Sequence, residues 1–155
     1  MRLTRAGEYG VRCVLFLARR EEGELCSRQE IADACDIPGH FLAKIAQQLA
    51  RAGIIEILQG ARGGYRLLKK PQDISLLDVI EAIIGEIFLN DCVIRPETCH
   101  ASLDCAVNRV WIRARDELRR ILQEVSFADL ARDEDCCVTR NIPVLGPARK
   151  CSHCR

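Results

Sequence analysis

Stretches with helical hydrophobic spacing alternate with two short stretches without it, and that rhythm predicts the elements of the chain. Tyr9, Cys13, Phe16 and Leu17 recur at spacings of four, three and one behind Thr4, which is placed to cap a first helix with Arg19 and Arg20 near its end. Ser27 followed by Glu30 has the form of a capping box and opens a short helix with Ile31 and Ala34 facing inward. Asp36-Ile37-Pro38 forces a turn, after which Phe41, Leu42, Ile45 and Leu49 define another helix that Gly53 stops. Ile54 to Leu58 and Tyr65 to Leu68 are β-like runs separated by Q-G-A-R-G-G, a predicted hairpin in which Gly63 and Gly64 are read as turn glycines permitting positive φ.

Lys69 to Asp73, with Pro71, reads as a linker, and Ser75 with Asp78 caps a helix carrying Leu77, Ile80, Ala82, Ile83 and Ile84 up to Gly85. A polar loop from Asp91 to Cys105 follows. Val107, Trp111, Ala114, Leu118, Ile121 and Val125 then alternate spacings of four and three, a heptad seam on a long helix. Arg113, Arg115, Arg119 and Arg120 flank that seam, which favours a homodimer over packing within the chain. Ser126 with Asp129 suggests one more cap and helix, and the chain is tail-like after Asp133. The predicted fold is mainly α with a small β-hairpin wing: a winged helix-turn-helix over 1–70, a loop and dimerisation helix over 71–130, and a cysteine-rich tail over 131–155.

Composition changes this picture in three ways. A chain of 155 residues with 48% hydrophobic but only 5% aromatic content builds its core from aliphatic side chains. A net charge of +1 supplies no global attraction to polyanions or membranes, so any DNA contact depends on a local patch. That patch is available on the second helix of the turn: Ile37 to Ile55 contains no acidic residue, and His40, Lys44, Gln47, Gln48 and Arg51 can reach phosphates or bases. The N-terminal apolar run is too short and too charged for a signal peptide or a membrane span, so a cytoplasmic location is expected.

In a reducing compartment ten cysteines point to metal, cluster or redox roles before disulfides. Cys92, Cys99 and Cys105 stand on the irregular polar loop, a poor core and a plausible soft-metal ligand set. Cys13 and Cys35 read as small hydrophobes, and Cys26 as a loop thiol without special role. In the tail, Cys136, Cys137, Cys151 and Cys154 gather around His153 as a possible second metal or redox site. No nucleophile-base pair or phosphate-binding glycine loop argues for an enzyme.

M-R-L-T-x-x-G-x-Y at the start, G-x-x-G-G-Y-x-L from Gly60 to Leu67, and three cysteines before a Trp-bearing helix together resemble the Rrf family of bacterial winged-helix regulators, which includes iron-sulfur regulators of the IscR and NsrR types. The likeness covers roughly residues 1 to 130. It implies a homodimer, a winged helix that reads a dyad-symmetric site on double-stranded DNA, and an iron-sulfur cluster on Cys92, Cys99 and Cys105. One branch of the family takes a fourth ligand from a His three residues after the last cysteine, and that position is Asn108 here. The nitric-oxide-sensing branch takes an acidic residue near the N-terminus of the opposite subunit, and the matching position is Glu8. The resemblance therefore implies Glu8 as fourth ligand, with a 4Fe-4S cluster favoured over 2Fe-2S.

For DNA, the resemblance implies contacts from Gly39, His40, Phe41 and Lys44 on the reading helix, joined by Gln48 and Arg51. The family's acidic specificity position is Ala43 here, and its usual wing arginine is Gln59, with Arg62 able to restore that contact. The reading is a homodimeric repressor gated by a cluster that senses nitric oxide, redox state or iron. Two alternatives stay open: a redox or metal-handling iron-sulfur protein without DNA binding, and a clusterless family member controlled by a protein partner.

Overall fold

A computed structural model describes residues 4–60, 62–101 and 104–132. Helices α1 (Arg5–Ala18), α2 (Arg28–Cys35) and α3 (Gly39–Arg51) precede strands β1 (Ile55–Leu58) and β2 (Gly64–Leu67), and α4 (Leu76–Ile84), α5 (Ala106–Glu124) and α6 (Phe127–Arg132) follow. The mainly helical fold with a two-stranded wing is the one the hydrophobic pattern predicts.

Local signals set most boundaries. Thr4 accepts from the Gly7 backbone and starts α1. Ser75 and Asp78 exchange both bonds of a capping box at α4. Gly53, at φ 67°, ends α3: its N–H donates to the Ala50 carbonyl, and that of Ile54 donates to Leu49, a Schellman arrangement. The Ser27 cap forms only in half. Its oxygen accepts from the Glu30 backbone, but the Glu30 carboxylate pairs with Arg20 at 2.6 Å instead of returning to the cap.

The hairpin pairs Ile55 with Leu67 and Leu58 with Gly64. Its glycines act differently from the turn role predicted for them. Positive φ falls on Gly60, whereas Gly63 and Gly64 are sites of close backbone approach. A Cβ on Gly63 would lie 2.3 Å from the Leu58 carbonyl oxygen, and one on Gly64 2.2 Å from that of Cys26. Cys26 is also more than a loop thiol. It is fully buried, and its backbone exchanges hydrogen bonds of 3.0 and 2.8 Å with Tyr65, adding a one-residue bridge beside β2.

One aliphatic core joins Cys13, Val14 and Leu17 of α1, Ile31 of α2, Leu42, Ile45 and Leu49 of α3, and Ile55 of β1 with Val79 and Ile83 of α4 and Phe127 of α6. The segment after Val125 returns to the start of α4: Leu76 donates to the Val125 carbonyl, and Phe127 to that of Ile74, both at 2.9 Å. Packing thus runs across residue 70.

Helix α5 does not use its heptad as a single seam. Leu118 and Leu122 pack on Leu77, Ile80 and Ile87 of the same chain. Arg115 reaches Glu86, and Arg119 pairs with both Glu81 and Glu86, so these two arginines tie α5 to the end of α4. Val107, Val110, Trp111 and Ile121 are left exposed, with Val110 at 61%. Among the described residues no helix is long and apolar enough to cross a membrane.

Candidate nucleic-acid interface and cysteine loop

Helix α3 follows α2 across a tight turn in which Asp36 takes a left-handed conformation, φ 53°. Its inner face is Leu42, Ile45, Ala46 and Leu49, which leaves His40, Phe41, Lys44, Gln47 and Arg51 exposed. Gly39 is half-buried, and nothing lies within 4 Å of where its Cβ would stand. Gln59 and Arg62 are exposed on the wing. Cationic and polar groups thus face outward on both α3 and the hairpin, the arrangement a winged helix needs to meet a groove and the flanking phosphates.

Gln48 departs from the set of DNA-contacting residues predicted for α3. It is half-buried, and its carboxamide Nε2 donates to the Ile83 carbonyl of α4 at 3.1 Å. Position 48 flanks the buried stripe three residues beyond Ile45, so its side chain is drawn to the seam between α3 and α4.

The N-terminal end of α3 touches α1 through aromatic rings. Tyr9 and Phe41 have centroids 6.1 Å apart, the His40 ring lies tilted at 43° against Phe41 with centroids 4.4 Å apart, and the Arg12 guanidinium lies 5.9 Å from the Tyr9 ring. Glu8 precedes Tyr9 in the first turn of α1 and is exposed; among the described residues its carboxylate has no hydrogen bond or ion pair.

The cysteine loop is built from two 3-10 turns, Asp91–Val93 and Pro96–Thr98. Asn90 Oδ1 accepts from the Asp91 backbone at 2.9 Å, Arg95 pairs with Asp91 at 3.5 Å, and Thr98 Oγ1 donates to the Arg95 carbonyl at 2.7 Å. Cys92 lies in the first turn, Cys99 follows the second, and Cys105 is the N-cap of α5. All three are free thiols, with Cys99 exposed and the others half-exposed. Each stands on its own local frame, and among the described residues no group of three or more His, Cys, Asp or Glu side chains is assembled to hold a metal ion. His100 is exposed beside Cys99. Asn108, at the position where a fourth ligand was considered, is buried and donates to Cys92 instead. Cys136, Cys137, Cys151 and Cys154 lie outside the described residues.

Of the other thiols among the described residues, Cys13 and Cys26 are buried in the core and Cys35 is half-buried against it. Burial, reinforced by Cys35 and Cys26, pushes the Cys13 thiol up to about 12, and burial also raises Cys26 and Cys35. Cys35 points its Sγ at the Arg12 carbonyl at 3.6 Å. None is poised as a reactive thiolate at neutral pH.

Comparison with known proteins agrees with this architecture. Residues 3–133 match the Rrf2 family, described as "Iron-dependent Transcriptional regulator". The chain is 30% identical over 136 residues to the HTH-type transcriptional regulator NsrR of Shouchella clausii, covering 87% of this chain and 91% of that one. It is 32% identical over 134 residues to NsrR of Geobacillus kaustophilus, covering 86% and 91%. Among solved structures it is similar to CymR, the global cysteine regulator of B. subtilis, with a TM-score of 0.69 and 28% identity over 84% of this chain and 96% of that one. By the match over residues 3–133 and the kinship with these regulators, this chain belongs to the Rrf2 family of transcriptional regulators.

Proposed function

We propose that the protein is a homodimeric, sequence-specific DNA-binding repressor whose hold on a dyad-symmetric operator is set by an iron-sulfur cluster responding to nitric oxide, redox state or iron. The observation that carries this reading is the placement of Cys92, Cys99 and Cys105 as three free thiols on the polar loop that joins α4 to α5. Their chemistry suits iron, because thiolates are soft, strong ligands for iron-sulfur clusters. The family's description as iron-dependent supports a role for iron.

The fourth position falls to Glu8 of the partner subunit, a harder ligand than a thiolate, and a 4Fe-4S cluster is favoured over 2Fe-2S. When bound, such a cluster supplies an iron open to nitric oxide or oxygen at its carboxylate corner. The protein's own residues explain how that corner reaches DNA. Glu8 shares the first turns of α1 with Tyr9, and Tyr9 packs on Phe41 at the start of α3. If Glu8 held the cluster, its release would act on the end of α3 that carries His40, Phe41 and Lys44. Gly39, His40, Phe41, Lys44 and Arg51 on α3, with Gln59 and Arg62 on the wing, are the groups that meet the duplex.

Two protomers meet through the exposed face of α5, where Val107, Val110, Trp111 and Ile121 offer partly exposed apolar surface to be taken out of water. The site is tested by anaerobic purification with native mass spectrometry and Mössbauer spectroscopy of the wild type, Cys99→Ala and Glu8→Ala. The wild type is expected to hold iron and sulfide, Cys99→Ala to lose the visible absorbance, and Glu8→Ala to change the signature of one iron. An unchanged Cys99→Ala spectrum removes that residue from the ligand set. A colourless wild type that still binds DNA replaces this reading with a clusterless regulator.

A further inference from the structure

Asn108 is 7% exposed and is the one buried residue of α5. An uncharged amide sheltered on an otherwise amphipathic helix is costly unless its hydrogens are used. Both have an acceptor within reach: Nδ2 lies 3.1 Å from the Cys92 carbonyl oxygen and 3.3 Å from Cys92 Sγ. A carboxamide NH2 carries two donors, one for each. Cys105 is the N-cap of α5 and Asn108 sits in its first turn, so the amide joins the segment of the first cysteine to the helix that begins at the third.

We propose that Asn108 is a positioning residue for Cys92: it holds the Cys92 backbone with one hydrogen and donates the other to the sulfur, stabilising the thiolate that ligates the cluster. The inference rests on the cluster reading above. A donor on a ligand sulfur withdraws electron density from it, which favours the reduced state and so raises the reduction potential. It also holds Cys92 in its bonding direction, which slows loss of the ligand. The amide at this position thus serves the cluster without being a ligand to it.

The test compares the wild-type full chain, reconstituted anaerobically, with Asn108→Ala and Asn108→Asp. The aspartate keeps the shape of the side chain but, when ionised, has no hydrogen to donate. Iron and sulfide content and far-UV circular dichroism establish loading and folding. Spectroelectrochemistry gives the midpoint potential, and absorbance decay with an iron chelator gives the rate of cluster loss. Both variants are expected to load and fold, with the reduction equilibrium weakened about tenfold in Asn108→Ala, a fall of about 59 mV for one electron. Asn108→Asp is expected to fall further, and cluster loss to be faster in both. An amide that only pins the loop backbone would leave the potential of the uncharged Asn108→Ala variant in place, so an unchanged potential in a loaded Asn108→Ala protein overturns the proposal. A wild-type chain that takes up no iron and sulfide overturns the cluster reading itself, and this inference with it.

Discussion

Gln48 of α3 donates to the carbonyl of Ile83, in the last turn of α4, at 3.1 Å. From Ile83 the chain passes through Gly85 into the loop that carries Cys92, so a side chain of α3 is fixed to the helix that leads into the cysteine loop. Glu81 reinforces the same turn from the other side, accepting from the Ile87 backbone at 3.0 Å and from Arg119 of α5. A shift at the end of α4 is therefore felt by α3 and α5 together.

Replacing Gln48 by Ala removes one hydrogen bond and frees a half-buried carbonyl, and is expected to lower stability by about 1 kcal/mol in chemical denaturation. Its larger effect is on coupling. The ratio of DNA affinities between cluster-loaded and cluster-free protein should fall toward one, while Lys44→Ala should weaken both forms alike. Fluorescence anisotropy with one operator and fixed salt distinguishes the two outcomes.

Val110 is the most exposed apolar side chain on α5 and has no role in the core of its own chain. Val110→Glu places a charge in the proposed dimer face and is expected to yield folded monomers with unchanged helicity. Sedimentation velocity at micromolar concentration reads the result. A variant that stays dimeric moves the interface elsewhere.

The buried Cys13 thiol makes stability depend on alkaline pH. Its folded value, about 12, lies above the ordinary 9.0, so the folded state keeps a proton that the unfolded chain releases. The contribution is fully present below pH 9 and is lost as pH rises from 9 toward 12. Melting temperature should fall across that window in the wild type and fall less steeply in Cys13→Ala, from a lower starting point because the substitution empties core volume.

Much of this was legible in the sequence because local signals and tertiary packing agree. Ser75 with Asp78 formed its capping box, and Gly53 closed α3 with the expected positive φ. The readings that changed concern side chains whose partners are distant in sequence. Glu30 was read as half of a cap, but Arg20 on α1 competes for its carboxylate. Nothing local to Gln48 marks the Ile83 carbonyl as its acceptor, so that bond is invisible in the sequence. Arg115 and Arg119 flank the heptad in sequence, and their ion pairs with Asp116, Glu81 and Glu86 of the same chain have no signature in that pattern. Asn108 was weighed only as a ligand, because burial beside Cys92 has no signature in periodicity. Gly63 and Gly64 were assigned to turn conformation when close backbone approach is what excludes a side chain there.

The most direct test of the account measures DNA affinity and cluster content on the same sample. Wild-type protein is purified anaerobically, its iron and sulfide are quantified, an operator is selected from genomic DNA, and affinity is measured before and after the cluster is removed by nitric oxide or chelation. A dyad-symmetric operator is expected, with an affinity that changes at least about tenfold with cluster state, a difference of about 1.4 kcal/mol. Equal affinity in the loaded and stripped states, or a loaded protein that selects no DNA, would contradict it.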